Sequence, residues 1–143
     1  VDIISPAMFR EFALPYQRSI IEAARKHGLR TILWNEGDVV PILRDEMSVP
    51  WDAFGMEQSR KAIDLDLRNL RNVAANRCIF GNFDSEYLLV HGTTDEIQSA
   101  VDAQFDASGP GNPFVFCTGS PVPSDASPDA VDAMLDAVRS SAH

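Results

Sequence analysis

The sequence predicts an α/β fold in which four short parallel strands alternate with helices. Three observations lead there. Apolar residues recur at spacings of three and four in several stretches, the period of a helix with one buried face. Between them lie apolar runs of four or five residues, the length of strands buried on both faces. The two patterns alternate along the chain, which implies parallel strands joined by right-handed crossovers. A doubly wound sheet and a barrel both satisfy these constraints. No linker interrupts residues 1–143, which read as one domain, and no sequence repeat signals a solenoid.

Ser5-Pro6 opens the first helix with a hydroxyl cap and a proline at the first helical position. Phe9, Phe12, Tyr16, Ile20 and Ala24 form its expected inner stripe, Pro15 should kink it, and Gly28 should stop it. Residues 30–34 are the first apolar run. A short helix over 39–47 and an extended piece over 53–56 follow. A helix from about Ser59 to Asn76 carries Ile63, Leu67, Leu70 and Ala74 on one face. Cys78 to Phe80 is a strand, Gly81-Asn82 a turn, and Glu86 to Val90 a short helix. Thr93 with Glu96 forms a capping box ahead of the stripe Ile97, Ala100, Val101, Gln104 and Phe105. Residues 109–113 are a Gly/Pro loop, and Phe114 to Cys117 the last strand. Ser127-Pro128 caps a final helix with Val131, Met134, Leu135 and Val138 inward.

The composition narrows the function. The 143 residues are 45% hydrophobic and 23% charged, which is globular. Net charge is −9, which argues against a nucleic-acid or anionic-membrane surface. No run approaches the ~20 apolar residues of a membrane span. The first residues lack a basic region and a cleavage site, so no secretory signal is read there, and a cytoplasmic location is expected. The missing initiator Met suggests a fragment or a trimmed chain. Two cysteines, Cys78 and Cys117, are too few for a disulfide framework.

Four stretches resemble the uroporphyrinogen decarboxylase superfamily. Ile4-Ser5-Pro6-Ala7-Met8-Phe9-Arg10-Glu11-Phe12, continued by Leu14-Pro15-Tyr16, is similar to its helix of form SPxxFREFxLPY. Ile32 to Gly37, running on to Pro41-Ile42-Leu43, resembles the strand and loop that hold a metal in its corrinoid-linked methyltransferase branch. Gly81-Asn82-Phe83-Asp84 with Leu88-Leu89 and Gly92-Thr93 resembles the GNxDP strand and loop, with Ser85 in place of Pro. Gly119 to Pro123 has the spacing of the methyltransferase GCxxP loop, one residue shorter than the decarboxylase form. The resemblance implies the C-terminal half of a (β/α)₈ TIM-type barrel: four parallel β/α units preceded by a helix.

The resemblance also implies where chemistry should sit, and the residues there depart from it. The zinc ligands of the methyltransferases, HxC after one strand and Cys after the last, fall on Trp34, Glu36 and Ser120. Trp cannot ligate and Ser ligates zinc poorly, so no tightly bound zinc is expected, and no metal ligand and no cofactor is assigned. The decarboxylase His also falls on Ser120, and that branch's catalytic Asp and substrate-binding Arg residues belong to an N-terminal half outside this sequence.

A barrel's site lies at the C-terminal ends of its strands. That rule collects Trp34, Asn35, Glu36, Glu57, Asn82, Asp84, Cys117, Thr118 and Ser120 at one mouth. Glu36 and Asp84 are the candidate catalytic carboxylates. Trp34, Asn35, Glu57, Asn82, Thr118 and Ser120 are the candidate substrate contacts. Three carboxylates could hold a hard cation or a cationic ligand, or divide into a raised acid and an ionised base. Trp34 would raise Glu36 by desolvation. The structural alternative is that Asn82 and Asp84 only cap and tie loops, and that Cys117 is an inert buried thiol. Cys78, His27, His91 and His143 have no partner at ligand spacing.

Four units do not close a barrel. The chain is therefore expected to pair as a homodimer or with a missing N-terminal half-barrel. Two function classes remain open: a small-molecule enzyme most like corrinoid-linked methyl transfer, inactive as an isolated half, or a non-catalytic relic serving binding or assembly. A tetrapyrrole decarboxylase-like fragment is a further alternative.

Overall fold

The structure, a computed structural model, describes residues 3–59 and 63–142. It begins with helices α1 (Pro6–Phe12) and α2 (Leu14–Lys26). The Ser5 side chain accepts the Met8 N–H at 3.2 Å, as the cap predicts. The expected kink is a full break: the chain leaves the helix at Ala13, and Pro15 falls in the first turn of α2. A proline there has no N–H to lose and no preceding turn to clash with. The break shifts the buried face by one residue. Phe9 is buried, but Phe12, Tyr16 and Ile20 are exposed, and α2 turns Leu14, Gln17 and Ile21 inward instead.

Strand β1 (Ile32–Asn35) is followed by a 3-10 turn (Val40–Ile42), helix α3 (Leu43–Met47) and strand β2 (Ala53–Met56). Helix α4 (Leu67–Ala74) is shorter than expected. Its cap is Asp66, which accepts the Arg68 N–H at 2.8 Å. Ahead of it, Leu65 donates its N–H to Ser59 Oγ at 2.9 Å and gives its carbonyl to Asn82 at 2.8 Å, so both backbone groups are diverted from a helical ladder. Residues 60–62 of the expected helix lie outside the described residues.

Strand β3 (Cys78–Phe80) leads to helices α5 (Ser85–His91) and α6 (Thr94–Ser108). Both halves of the Thr93–Glu96 capping box are formed. Strand β4 (Phe114–Val115) and helix α7 (Pro128–Ser141) complete the chain. Leu135, expected inward, is exposed, and Ala137 takes its place.

All four strands are parallel, in the order β1-β2-β3-β4. Their register separates two faces. Leu33, Phe54, Ile79 and Phe114 align across the sheet and meet the helices, joining a core that includes Trp51, Met56 and Leu70. A second cluster, with Phe83, Leu89, Ile97, Val101 and Met134, packs among α5, α6 and α7. The opposite sheet face carries Ile32, Trp34 and Val115, all exposed, with Cys78 and Phe80 half-buried. Strands buried on both faces were expected, yet all four residues are buried only in β2. The helices cover one face, and among the described residues the other stays open at Ile32, Trp34 and Val115. Among the described residues no helix is long and apolar enough to cross a membrane.

Candidate functional site

The loops after the four strands are stitched to one another at the C-terminal edge of the sheet. Gly37, in the turn after β1, has φ +76°, a conformation that favours glycine. Its N–H donates to Glu57 Oε2 at 2.7 Å, tying the first loop to the second. Asn82, after β3, uses its amide nitrogen on the carbonyls of Glu57 (3.2 Å) and Leu65 (2.8 Å). Its Oδ1 accepts from Gln104 Nε2 at 3.0 Å, and its own N–H donates to Gln104 Oε1 at 3.2 Å. Ser120, after β4, donates from Oγ to Gln58 Oε1 at 2.9 Å. The wholly buried Ser85 donates to the Ser120 carbonyl at 2.9 Å. Gly119 lies so close to Gln58 that a Cβ there would stand 2.2 Å from the Gln58 nitrogen. Sequence reasoning placed Glu57, Asn82 and Ser120 at this edge and did not single out Gln58; it read Gln104 only as part of the α6 stripe and Ser85 only as a replacement for Pro in the loop.

The expected residues divide among several places. Trp34 lies on the open sheet face with its ring over Gly55. Asn35, the next residue along the strand, points the other way and sits beside Glu46 under the helices, not at the mouth. Glu36 is exposed, so the burial needed for desolvation by Trp34 is absent. Asp84 Oδ1 accepts the Tyr87 N–H at 3.0 Å and caps α5. Thr118 pairs with Phe83 in a parallel bridge that carries β-pairing past the strand ends. Cys117 is half-buried, and burial pushes its thiol up, away from the reactive thiolate. Burial likewise raises Cys78.

The three carboxylates do not share one opening as the strand-end rule suggested. Glu57 turns to Gly37 and Asp84 turns back to its helix. Among the described residues no three of His, Cys, Asp and Glu stand close enough to hold a metal ion. A cavity of about 430 Å³ opens beside the rim, between residues 58–68, the Asn82–Asp84 loop and α6. Asp64, Asp66, Arg68 and Gln104 are in its wall. It takes in Asn82 and Asp84 but neither Trp34, Glu36 nor Ser120.

The side chain whose acidity is most altered lies outside the mouth. Glu46 on α3 is 0% exposed, and burial raises its carboxyl from 4.5 to about 7. Nothing in a short Leu-Arg-Asp-Glu-Met helix marks this glutamate as buried. Its burial arises because α2 lands on it.

The sequence pattern of the family described as Uroporphyrinogen decarboxylase (URO-D) matches residues 1–141. A uroporphyrinogen decarboxylase of Xanthomonas euvesicatoria is 31% identical over 147 aligned positions, covering 96% of this chain and 40% of the relative. That of Anaeromyxobacter dehalogenans is 30% identical over 135 residues, covering 90% and 35%. A methylcobamide:CoM methyltransferase of Methanosarcina mazei is 24% identical over 106 residues, covering 74% and 30%. The chain thus spans well under half of each of these relatives. A solved methyltransferase structure from Methanosarcina mazei superposes with a TM-score of 0.76 at 22% identity, over 99% of this chain and 39% of that one.

Proposed function

The chain belongs to the uroporphyrinogen decarboxylase family, and from that premise we propose that residues 1–143 supply the C-terminal half of a (β/α)₈ barrel whose mouth binds a small molecule. The observation that carries this reading is the unbroken stitching of the four loops at the C-terminal edge of the sheet, where barrels place their chemistry. The uncovered face bearing Ile32, Trp34 and Val115, and the open edges of β1 and β4, call for a second half-barrel. That half is either the remainder of the same protein or a second copy related by a two-fold axis.

The parent activity is most like corrinoid-linked methyl transfer. The family's zinc slots hold Trp34, Glu36 and Ser120, and these residues do not fit that metal. The Ser120 hydroxyl is committed to Gln58, and the Trp34 ring lies over Gly55. Glu36, exposed beside the tight Gly37 turn, is the group free to approach a ligand as an acid, a base or a counter-charge. Asp84 stands at the edge of the neighbouring cavity. Glu57, Asn82, Thr118 and Ser120 shape the mouth by fixing its loops.

The test is calorimetric titration of the intact protein, and of Glu36→Gln, with methylcobalamin and with uroporphyrinogen. One of the two should bind, and Glu36→Gln should weaken binding at least about tenfold with an unchanged circular dichroism spectrum. Binding of neither, or binding indifferent to Glu36→Gln, would sink the proposal. The replaced ligand slots and the uncovered face then favour the second reading, a non-catalytic assembly module. Sedimentation tests that reading, and a stable monomer that binds no hydrophobic dye would refute it.

A further inference from the structure

Three side chains that the mouth does not use meet between α2, the end of β1 and α3. Gln17 Nε2 donates to Glu46 Oε1 at 3.3 Å. Asn35 lies beside the same carboxyl, and its contact and the Gln17 bond favour the ionised form against the larger, opposing effect of burial. Each of the three groups is left with one buried polar atom that has no well-formed hydrogen bond: Gln17 Oε1, Glu46 Oε2 and Asn35 Nδ2. Buried polar atoms in folded proteins are nearly always paired, so three orphans in one cluster require an explanation.

The donor and acceptor inventory supplies one. An ionised Glu46 has only acceptors, so its Oε2 and the Gln17 Oε1 have nothing to share. Exchanging the nitrogen and oxygen of the Gln17 amide does not help, because only one of the two can donate. A proton on Glu46 Oε2 resolves both. The new O–H donates to Gln17 Oε1 while Gln17 Nε2 donates to Glu46 Oε1, and acid and amide close a ring of two hydrogen bonds. Asn35 Nδ2 is then a donor for a remaining lone pair of the acid.

The surrounding charges favour the same state. Asp45, adjacent on α3, opposes a second negative charge and is itself bound by Arg10 of α1 at 2.8 Å. Arg18 of α2 is turned to Ser48, and Arg77 spends its guanidinium on the carbonyls of Met47 and Val49. Arg44 and Glu36 are exposed. The Trp51 indole N–H reaches only the Glu46 backbone carbonyl, at 2.7 Å. Among the described residues no cation forms an ion pair with Glu46.

We propose that Glu46 is a proton latch: as the neutral acid it docks the α1–α2 helix pair onto α3 and the end of β1, and loss of its proton releases that dock. The consequence reaches the rim. Asn35 is followed by Glu36 and Gly37, whose N–H is clamped by Glu57, so the latch and the first stitched loop are two residues apart. This inference stands apart from the identity of any ligand at the mouth.

The test uses carbon NMR of labelled glutamate carboxyls in the intact protein, with Glu46 assigned by its absence in Glu46→Gln. Hydrogen exchange of the α2 amides, corrected for intrinsic rate, is followed over the same pH range. Glu46 should titrate near neutrality, apart from the other glutamates. Protection of α2 should fall about tenfold per pH unit through the approach to that midpoint and then level off. Glu46→Gln can form the same two-bond ring with Gln17 and should keep its protection throughout. Should that variant fail to fold, Gln17→Leu, which removes the ring but leaves the acid, should bring α2 protection at low pH down to the high-pH level of the parent. Glu46 titrating with the exposed glutamates, a full pH dependence persisting in Glu46→Gln, or unchanged low-pH protection in Gln17→Leu would each overturn the proposal.

Discussion

Replacing Gly55 by Ala tests how the open face of the sheet is organised. A Cβ at residue 55 would stand 2.3 Å from Cε3 and 2.5 Å from Cζ3 of Trp34. Non-bonded carbons rest at roughly 3.5–4.0 Å, so the indole must leave. The backbone of β2 cannot yield instead, because it is paired to β1 on one side and β3 on the other. Trp34 is 39% exposed, so about three-fifths of its surface is covered. A tryptophan buries at most about 250 Å². Losing about 100–150 Å² at about 25 cal/mol per Å² gives a ceiling near 4 kcal/mol. The ring can settle elsewhere on the open face, so Gly55→Ala should cost about 1–3 kcal/mol in urea unfolding, with Trp34 emission shifted to the red. The decisive measurement is the double-mutant cycle with Trp34→Ala. In that background the Cβ meets open space, and Ala should be neutral or stabilising because glycine weakens strands. An equal cost in both backgrounds would refute the reasoning.

Three further outcomes follow from the same geometry. Glu46 rests near 7 in the folded chain against an ordinary 4.5, so the stability tied to its neutral form is complete below about pH 4.5 and is lost as pH rises to about 7. That gap corresponds to about 3 kcal/mol, so denaturation at low and at mildly alkaline pH should differ by that much more in the parent than in Glu46→Gln. Asn82→Ala removes the side-chain bonds to the carbonyls of Glu57 and Leu65 and to Gln104 Nε2, while the backbone N–H of residue 82 still reaches Gln104 Oε1, and urea unfolding should register a loss of about 2–4 kcal/mol. Thr93→Ala removes one half of the capping box and should cost about 1 kcal/mol in thermal or urea unfolding, while Thr93→Ser should be close to neutral.

What could be read from the sequence was local. The apolar runs over Ala53–Met56 and Cys78–Phe80 coincide with β2 and β3 because short buried strands have few other ways to satisfy their pattern. The Ser5, Thr93 and Ser127 caps are legible because each bond spans three residues. What failed depends on contacts between distant segments. The inner face of α2 follows from the break at Ala13, which one proline can produce or not according to what the next turn packs against. The late start of α4 reflects Asn82 capturing the Leu65 carbonyl from 17 residues away. Asn35 and Glu36 looked like neighbours at one mouth, but strand alternation separates Asn35 from it. Glu46 is buried among distant segments, beside Gln17, 29 residues earlier, and Asn35.

The order β1-β2-β3-β4 bears on how the protein is made. From β2 onward, each strand pairs with the one synthesised just before it. As the chain leaves the ribosome, every new unit therefore finds its neighbour already in place, across a loop of a few tens of residues. Of these elements helix α7 is made last, and it docks on α6, already present. Until it does, Met134 and Ala137 have no cover, and neither does the patch of Ile97 and Val101 they seal. Between completion of β4 and docking of α7, that apolar patch is open to capture by chaperones or by a neighbouring chain.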